Sequence, residues 1–323
     1  MQFTDLLYGT VSVDDPLIEE LYHSSPLQRL KGIAQGVFSS PSRLLPTVTR
    51  YDHSVGVMLL LRRLGASRKE QVTGLLHDIS HTAFSHVADF LFPNEEHTFH
   101  ETLFSQIVLN SDIPSILLRH GLSVDDILNT NHFSLLEQPI PHLCADRIDY
   151  SLRDLTRLRS GTSFLPYLTS LTTHADRIVF KDAETALSYA RDYLELDRSA
   201  WASPLEVATY LFLSRILREA LDTGILTFED LLKDDLSVLT KLKASSHPGL
   251  SQQLRTFEEG VRFKLHTDGP PETFFRPKLR YVDPSVLWTQ GQTLRVSEVF
   301  PEFQEEISDH KRRNEKGFYL QIL

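Results

Sequence analysis

The chain has 323 residues, 41% of them hydrophobic and 24% charged, a globular balance that excludes a disordered or low-complexity protein. Its net charge of −10 and pI near 5.8 repel polyanions at long range, so duplex nucleic acid is not an expected partner. The single cysteine, Cys144, excludes an internal disulfide or a multi-cysteine metal site and fits a reducing compartment.

The opening "MQFTDLLYGTVSVDDPLIEE" has no basic segment ahead of an apolar core, so no secretory signal is expected. No apolar run approaches the roughly 20 residues needed to span a bilayer, and no membrane partner is expected. The expected compartment is the cytoplasm; a nuclear protein would read the same. Ser24 and Ser25 before Pro26 offer an N-cap for a helix over "LQRLKGIAQ", and "SSPSRLLP" (39 to 46) reads as a loop. Helical spacing of apolar residues then predicts helices over 51–65, 69–80 and 100–110. In the first of these, Val57, Leu60, Leu61 and Leu64 form a stripe and Gly65 supplies the stop. The second sets His77 and Asp78 at its end. Further helices are predicted over 204–224, with Gly224 as the stop, and over "FEDLLKDDLSVLTKLK" (228 to 243). From about residue 258 the texture alternates and carries Gly-Pro-Pro, predicting short strands and loops. The expected architecture is mainly α: a catalytic helical core over 1–257 and a small β-containing C-terminal subdomain over 258–323.

Six of the fourteen histidines, His53, His77, His81, His86, His97 and His100, fall between positions 53 and 100. Burying so many ionisable groups costs free energy unless a partner or a metal satisfies them. A divalent cation needs neutral imidazole and carboxylate ligands from several directions. Adjacent His77 and Asp78 point about 100° apart on a helix end, so other residues must close the far side. His53 from the preceding helix and Asp146 from "CADRIDYSLRD" are candidates. His86 and Asp89 stand at i and i+3, where the carboxylate can orient the imidazole.

Five motifs in this order, "QRLKGIAQG", "TRYDHSVGV", "LLHDISHTAFSH", "FHETLFS" and "DRIDYSLRD", resemble the HD-domain metal-dependent phosphohydrolase superfamily, and among its branches the deoxynucleoside triphosphate triphosphohydrolases. The likeness runs from about Pro26 to Asp154 and implies an HD-domain helical bundle. It implies His53, His77, Asp78 and Asp146 as metal ligands. His81 would lie near the phosphate, His86 would be a general acid held by Asp89, and His100 with Glu101 would position water and phosphate. Arg50 and Arg147 resemble residues that contact the phosphate chain, Tyr150 the tyrosine against the sugar, and Gln35 and Asp154 the groups that bond its 3′-hydroxyl. His97 has no counterpart. The implied cofactor is a divalent transition metal (Fe, Mn, Co, Ni or Zn), with Mg accompanying the substrate.

Some positions depart from the branch pattern. His23 and Lys31 stand where nucleotide-activated relatives carry an acid and an arginine, so guanine-nucleotide activation is not expected. Gly36 follows Gln35 in place of a larger apolar residue, which predicts a roomier base pocket. The expected activity is cleavage of deoxynucleoside triphosphates to nucleoside and inorganic triphosphate. Alternatives are a phosphatase acting on nucleoside monophosphates or other small phosphate esters, a silent nucleotide-binding protein, and a di-iron oxygenase variant of the fold. No ligand or acid–base residue that a silent binder would have lost is missing. A homo-oligomer is compatible with the resemblance.

Overall fold

The N-terminus is a β-hairpin of β1 (Gln2–Asp5) and β2 (Gly9–Ser12), antiparallel with Phe3 opposite Val11. In the computed structural model, residues 1–36, 48–92, 99–129, 132–159, 161–270 and 273–323 are described. The expected loop at 39 to 46 and His97 lie outside them. Short helices α1 (Pro16–Tyr22) and α2 (Ser25–Arg29) follow, and α2 gives way to a tight turn at Leu30–Gly32. The expected helix over "LQRLKGIAQ" is therefore shorter, because the chain leaves it to pair Ala34 with Thr49.

Two helices form the centre. α3 (Arg50–Arg63) starts at a capping box in which Thr49 and Asp52 satisfy each other's backbone N–H groups. It is apolar on two sides: Val57, Leu60 and Leu61 face one core and Val55, Met58 and Leu59 another, so it is buried along most of its length. α4 (Arg68–Leu76) packs antiparallel-hairpin fashion against it across the close contact of Gly74 with Leu61 and Val57. α4 ends at Leu76 with His77 as its C-cap, so the expected helix to residue 80 stops four residues early.

The chain continues through α5 (Val87–Leu91), α6 (Glu101–Leu109), α7 (Ile113–Arg119), α8 (Asp125–Leu128) and α9 (Ala145–Leu158). After α10 (Leu165–Ser170) come β3 (Leu171–His174) and β4 (Arg177–Phe180), then α11 (Ala183–Leu196) and a π-helical turn Asp197–Trp201. α12 (Pro204–Asp222) is capped by Ser203. The segment 228–243 is two helices, α13 (Phe228–Leu231) and α14 (Asp235–Ala244), since Asp234 caps a new start. α15 (Pro248–Glu259) precedes the first of the later strands.

Beyond residue 258 the strands do not form one unit. β5 (Phe263–His266) and β6 (Phe274–Phe275) flank β9 (Phe318–Ile322), whereas β7 (Ser285–Leu287) and β8 (Thr293–Arg295) extend the β3–β4 hairpin through a parallel pairing of Phe180 with Val286. Between them lie α16 (Val296–Val299) and α17 (Pro301–Lys316). Val282, Val286, Val296, Phe303 and Ile307 share one buried cluster with residues of α3, α9 and α11, so this segment is built into the main core. No helix among the described residues is long and apolar enough to cross a membrane.

Candidate metal and phosphate centre

His53 and Asp146 face each other across the α3–α9 contact, with His53 Nε2 2.9 Å from Asp146 Oδ1. At the end of α4, His77 Nε2 lies 3.4 Å from the same oxygen and 3.5 Å from Asp78 Oδ1. His53 Nε2 is 3.8 Å from Asp78 Oδ2. The structure thus groups three of the four expected ligands, with Asp78 alongside both imidazoles and bound to Arg50. Donor atoms of His53, His77 and Asp146 lie within 4.8 Å of one another.

The orientation of each imidazole is set on its far side. His53 Nδ1 meets Asp149 Oδ1 at 2.8 Å, and His77 Nδ1 meets the Gly74 carbonyl at 2.7 Å. Both rings therefore turn Nε2 inward, the arrangement metal-ligating histidines adopt when an acceptor holds the other nitrogen. His77 Nε2 is buried with no hydrogen-bond partner, which is costly unless something else occupies its lone pair. The residues present fit a divalent cation: two inward imidazoles, two carboxylates and an unspent buried nitrogen. Burial opposes charge on His53, but Asp146 and Asp149 outweigh it and carry its pKa to about 10. Burial likewise opposes charge on Asp78 and Asp146, yet Arg50 beside the first and the two imidazoles beside the second hold both below the usual carboxylate range. The Asp146 and His77 side chains remain 23% and 18% exposed, which opens the centre on that side.

Beside this centre stands a histidine wall. His81 is reached through a turn, its Nε2 3.3 Å from Asp78 Oδ1, and its ring stacks on His100 with centroids 3.8 Å apart. His86 packs edge-on against His81, and its Nδ1 is 3.0 Å from Asp89 Oδ2. Burial lowers the pKa of all three imidazoles, that of His100 to about 4. Between them, Phe84 and Ser85 adopt left-handed conformations, φ 62° and 50°, a strained backbone for such side chains. Asp235 holds this turn, accepting the Phe84 N–H at 2.7 Å and the Ala34 N–H at 3.0 Å. Glu101, by contrast, is exposed on the first turn of α6 while His100 faces inward.

The expected substrate residues divide. Arg50 is buried and bound to Asp78, Ser85 and the Gln35 carbonyl. Arg147 is held by the carbonyls of Gln138 and His142, by Glu137 and by Cys144 Sγ. Both guanidiniums are thus spent on protein acceptors. A second donor group, Glu137, Cys144 and Asp146, is crowded by this Arg147 cation. Gln35 Oε1 and Asp154 Oδ1 are buried without hydrogen-bond partners. Tyr150 lies 6.3 Å from the His53 ring and bonds Tyr193 through its hydroxyl.

Residues remote in sequence complete the surroundings. Trp201 packs edge-on against Tyr150 and donates its indole N–H to Asp154 Oδ2 at 2.9 Å. Arg280, whose guanidinium makes no hydrogen bond among the described residues and only a 3.9 Å contact to Asp197, lends positive charge to His86, Tyr150 and Tyr193. Neither carried a local signal, since each reaches the site through long-range folding alone.

Residues 50–154 match the HD domain family. The chain is 35% identical over 303 residues to the metal-dependent phosphohydrolase cns2 of Cordyceps militaris, covering 89% of this chain and 85% of that protein. The chain belongs to the HD-domain metal-dependent phosphohydrolases. This phosphohydrolase is also 37% identical over 329 residues to the uncharacterized protein YdhJ of Bacillus subtilis (strain 168), covering 100% of the chain and 99% of YdhJ. Its fold matches a solved phosphohydrolase from Bacteroides thetaiotaomicron VPI-5482 with a TM-score of 0.70, at 18% identity and over 100% and 99% of the two chains. The matched span begins at Arg50 and ends at Asp154, so the phosphohydrolase draws Trp201, Asp235 and Arg280 from outside it.

Proposed function

We propose that this phosphohydrolase cleaves nucleotides, and specifically that it releases inorganic triphosphate from deoxynucleoside triphosphates. The observation that carries the reading is the buried Gln35 Oε1, which has no hydrogen-bond partner, together with Asp154, whose buried Oδ1 accepts no hydrogen bond and has only the Arg157 guanidinium 3.7 Å away. A buried acceptor without a donor costs about 1–3 kcal/mol, and sugar hydroxyls are donors that would remove that cost. Tyr150 and Trp201 beside Asp154 offer flat apolar surface of the kind a sugar or base packs against. Burial raises the Asp154 carboxyl to about 6, against its Trp201 partner.

His53, His77, Asp78 and Asp146 would hold the divalent cation. When bound, it would act as a Lewis acid on a phosphoryl oxygen and would activate a water. Neutral His81 and His100 supply N–H groups at the wall. With Nδ1 held by Asp89 and its ring edge-on to His81, His86 has Nε2 as the nitrogen left for proton transfer. Burial, Arg50 and Arg280 keep it neutral before substrate arrives, and a polyanionic substrate adds the negative charge that favours its protonated form. From there it donates that proton to the departing nucleoside oxygen as the bond to phosphorus breaks.

One observation favours a shorter phosphate. With Arg50 and Arg147 both held by protein groups, Arg280 is left among these described residues as a cation without a hydrogen-bonded partner, which suits the monophosphate or phosphate-ester alternative. Incubating purified protein with deoxynucleoside triphosphates, nucleoside triphosphates and monophosphates in the presence of Mn²⁺, Co²⁺, Fe²⁺ or Mg²⁺, and resolving products, decides between them. Nucleoside plus triphosphate is the expected result. Orthophosphate from monophosphates alone moves the assignment to the alternative, and no loss of any nucleotide sinks both.

A further inference from the structure

The Asp149 side chain is entirely buried one helical turn beyond Asp146, and it meets the Nδ1 side of His53, away from the nitrogen that faces Asp146. Its carboxylate receives four donors. Oδ1 takes His53 Nδ1 at 2.8 Å and Arg153 Nε at 2.6 Å; Oδ2 takes the Tyr8 hydroxyl at 2.8 Å and Arg153 Nη2 at 3.2 Å. A carboxylate has about four lone-pair sites, so Asp149 is saturated and acts only as an acceptor. It follows that His53 Nδ1 is the donor in that pair, and that Nε2 is the nitrogen left to face Asp78, His77 and Asp146. The other donors come from two separate parts of the fold. Arg153 also bonds Asp5 Oδ2 at 2.8 Å, so both Asp5 and Tyr8, at the closed end of the β1–β2 hairpin, are tied to this one carboxylate.

The packing of α3 is cut to fit. A Cβ at Gly56 would stand 2.0 Å from Arg153 Nη2 and 2.1 Å from Asp149 Oδ2, so no larger residue at 56 leaves room for the pair. Position 56 is three residues on from His53, on the same face of α3. Glycine inside a helix costs about 1 kcal/mol relative to alanine, and here it makes room for the group that turns His53.

We propose that Asp149 and Tyr8 are positioning residues of the metal centre: the N-terminal hairpin clamps Asp149, and Asp149 fixes His53 with Nε2 aimed at the cation. The hairpin lies outside the span that matches the HD domain family, so the family's ligand set is completed here by an element the family does not define. The inference rests on the metal-centre reading and is independent of which phosphate ester is cleaved.

The test is metal affinity without substrate, read by competition against a chromophoric chelator for wild type, Y8F, D149N and D149A, with thermal melting as a control for folding. Loss of an outer partner of this kind weakens binding about 10–100-fold, which is the expectation for D149A. D149N keeps an acceptor for His53 and should fall between wild type and D149A. Y8F removes one hydrogen bond and should weaken binding about fivefold. Histidine ¹⁵N spectra should show His53 losing its single tautomer in D149A. Folded D149A and Y8F that bind metal as tightly as wild type, with His53 unchanged, overturn the positioning role. If D149A fails to fold, Y8F and D149N decide by the same criterion. Wild type that binds no metal overturns the metal centre itself.

Discussion

His77 shows why the centre is difficult to explain as core. Its Nδ1 is satisfied by a carbonyl, yet its Nε2 is buried beside two carboxylates with no hydrogen bond of good geometry. A residue selected for stability alone would not hold that nitrogen so. His77→Ala should therefore leave the melting temperature of metal-free protein within a few degrees of wild type while abolishing the rise that added metal produces, since only a ligand bound to the native state stabilises it. A metal-induced shift equal to wild type would remove His77 from the ligand set. These residues were legible in the sequence because each stands beside others of its kind: His77 with Asp78, His86 with Asp89, Asp146 in an acidic helical run. Trp201 and Arg280 were not legible. Both stand far beyond Asp154 in the chain, and nothing in their neighbours announces the contact. Glu101 reads as an active-site residue by its motif, but it faces solvent because it stands on the outer side of the first turn of α6.

Among the elements, α3 was readable from apolar spacing, whereas α9 entered only as the motif that supplies Asp146; α3 carries His53 while α9 carries Asp146, Asp149 and Asp154. The hairpin at residues 2–12 was not read, because two strands of four residues are too short for alternation to stand out. Nor was the break between α13 and α14, where the hydrophobic spacing runs on but Asp234 supplies a new cap. That break has a consequence for the site, since it places Asp235 to hold the strained Phe84–Ser85 turn. Burial raises the Asp235 carboxyl to about 6, against the two backbone N–H groups that lower it. The folded chain then holds this proton more tightly than the unfolded chain, so its contribution to stability is greatest at low pH and is lost as pH rises from about 4 to about 6, by up to about 3 kcal/mol. Denaturant unfolding across that window should show Asp235→Asn lacking this fall, so that the variant gains on wild type as pH rises. Parallel curves for the two proteins would refute the assignment.

At the scale of the whole molecule, a mainly α fold was legible from the helical periodicity, and the C-terminal β texture was seen. What the texture could not reveal is that the strands after 258 separate. β7 and β8 join the β3–β4 hairpin, while β5, β6 and β9 pack on the helices around α12. Pairing across more than a hundred residues leaves no mark in local composition. Val286 and Phe303 are buried among α3, α9 and α11 residues, so a chain ending at residue 257 would expose a core face rather than release a module. Such a truncation should be insoluble or unfolded, and the full chain should melt in one cooperative calorimetric transition. A soluble, folded 1–257 fragment with two transitions in the parent would argue for separable domains.

On the proposed function, phosphate-ester cleavage depends on a metal held by His53, His77, Asp78 and Asp146. The most direct measurement is hydrolysis by chelator-stripped protein before and after readdition of a divalent transition metal, with Asp146→Ala in parallel. Stripped wild type should be inactive and recover on readdition, while Asp146→Ala, folded by thermal melting, should not recover. Full hydrolysis by the stripped protein, or recovery by Asp146→Ala, would contradict it.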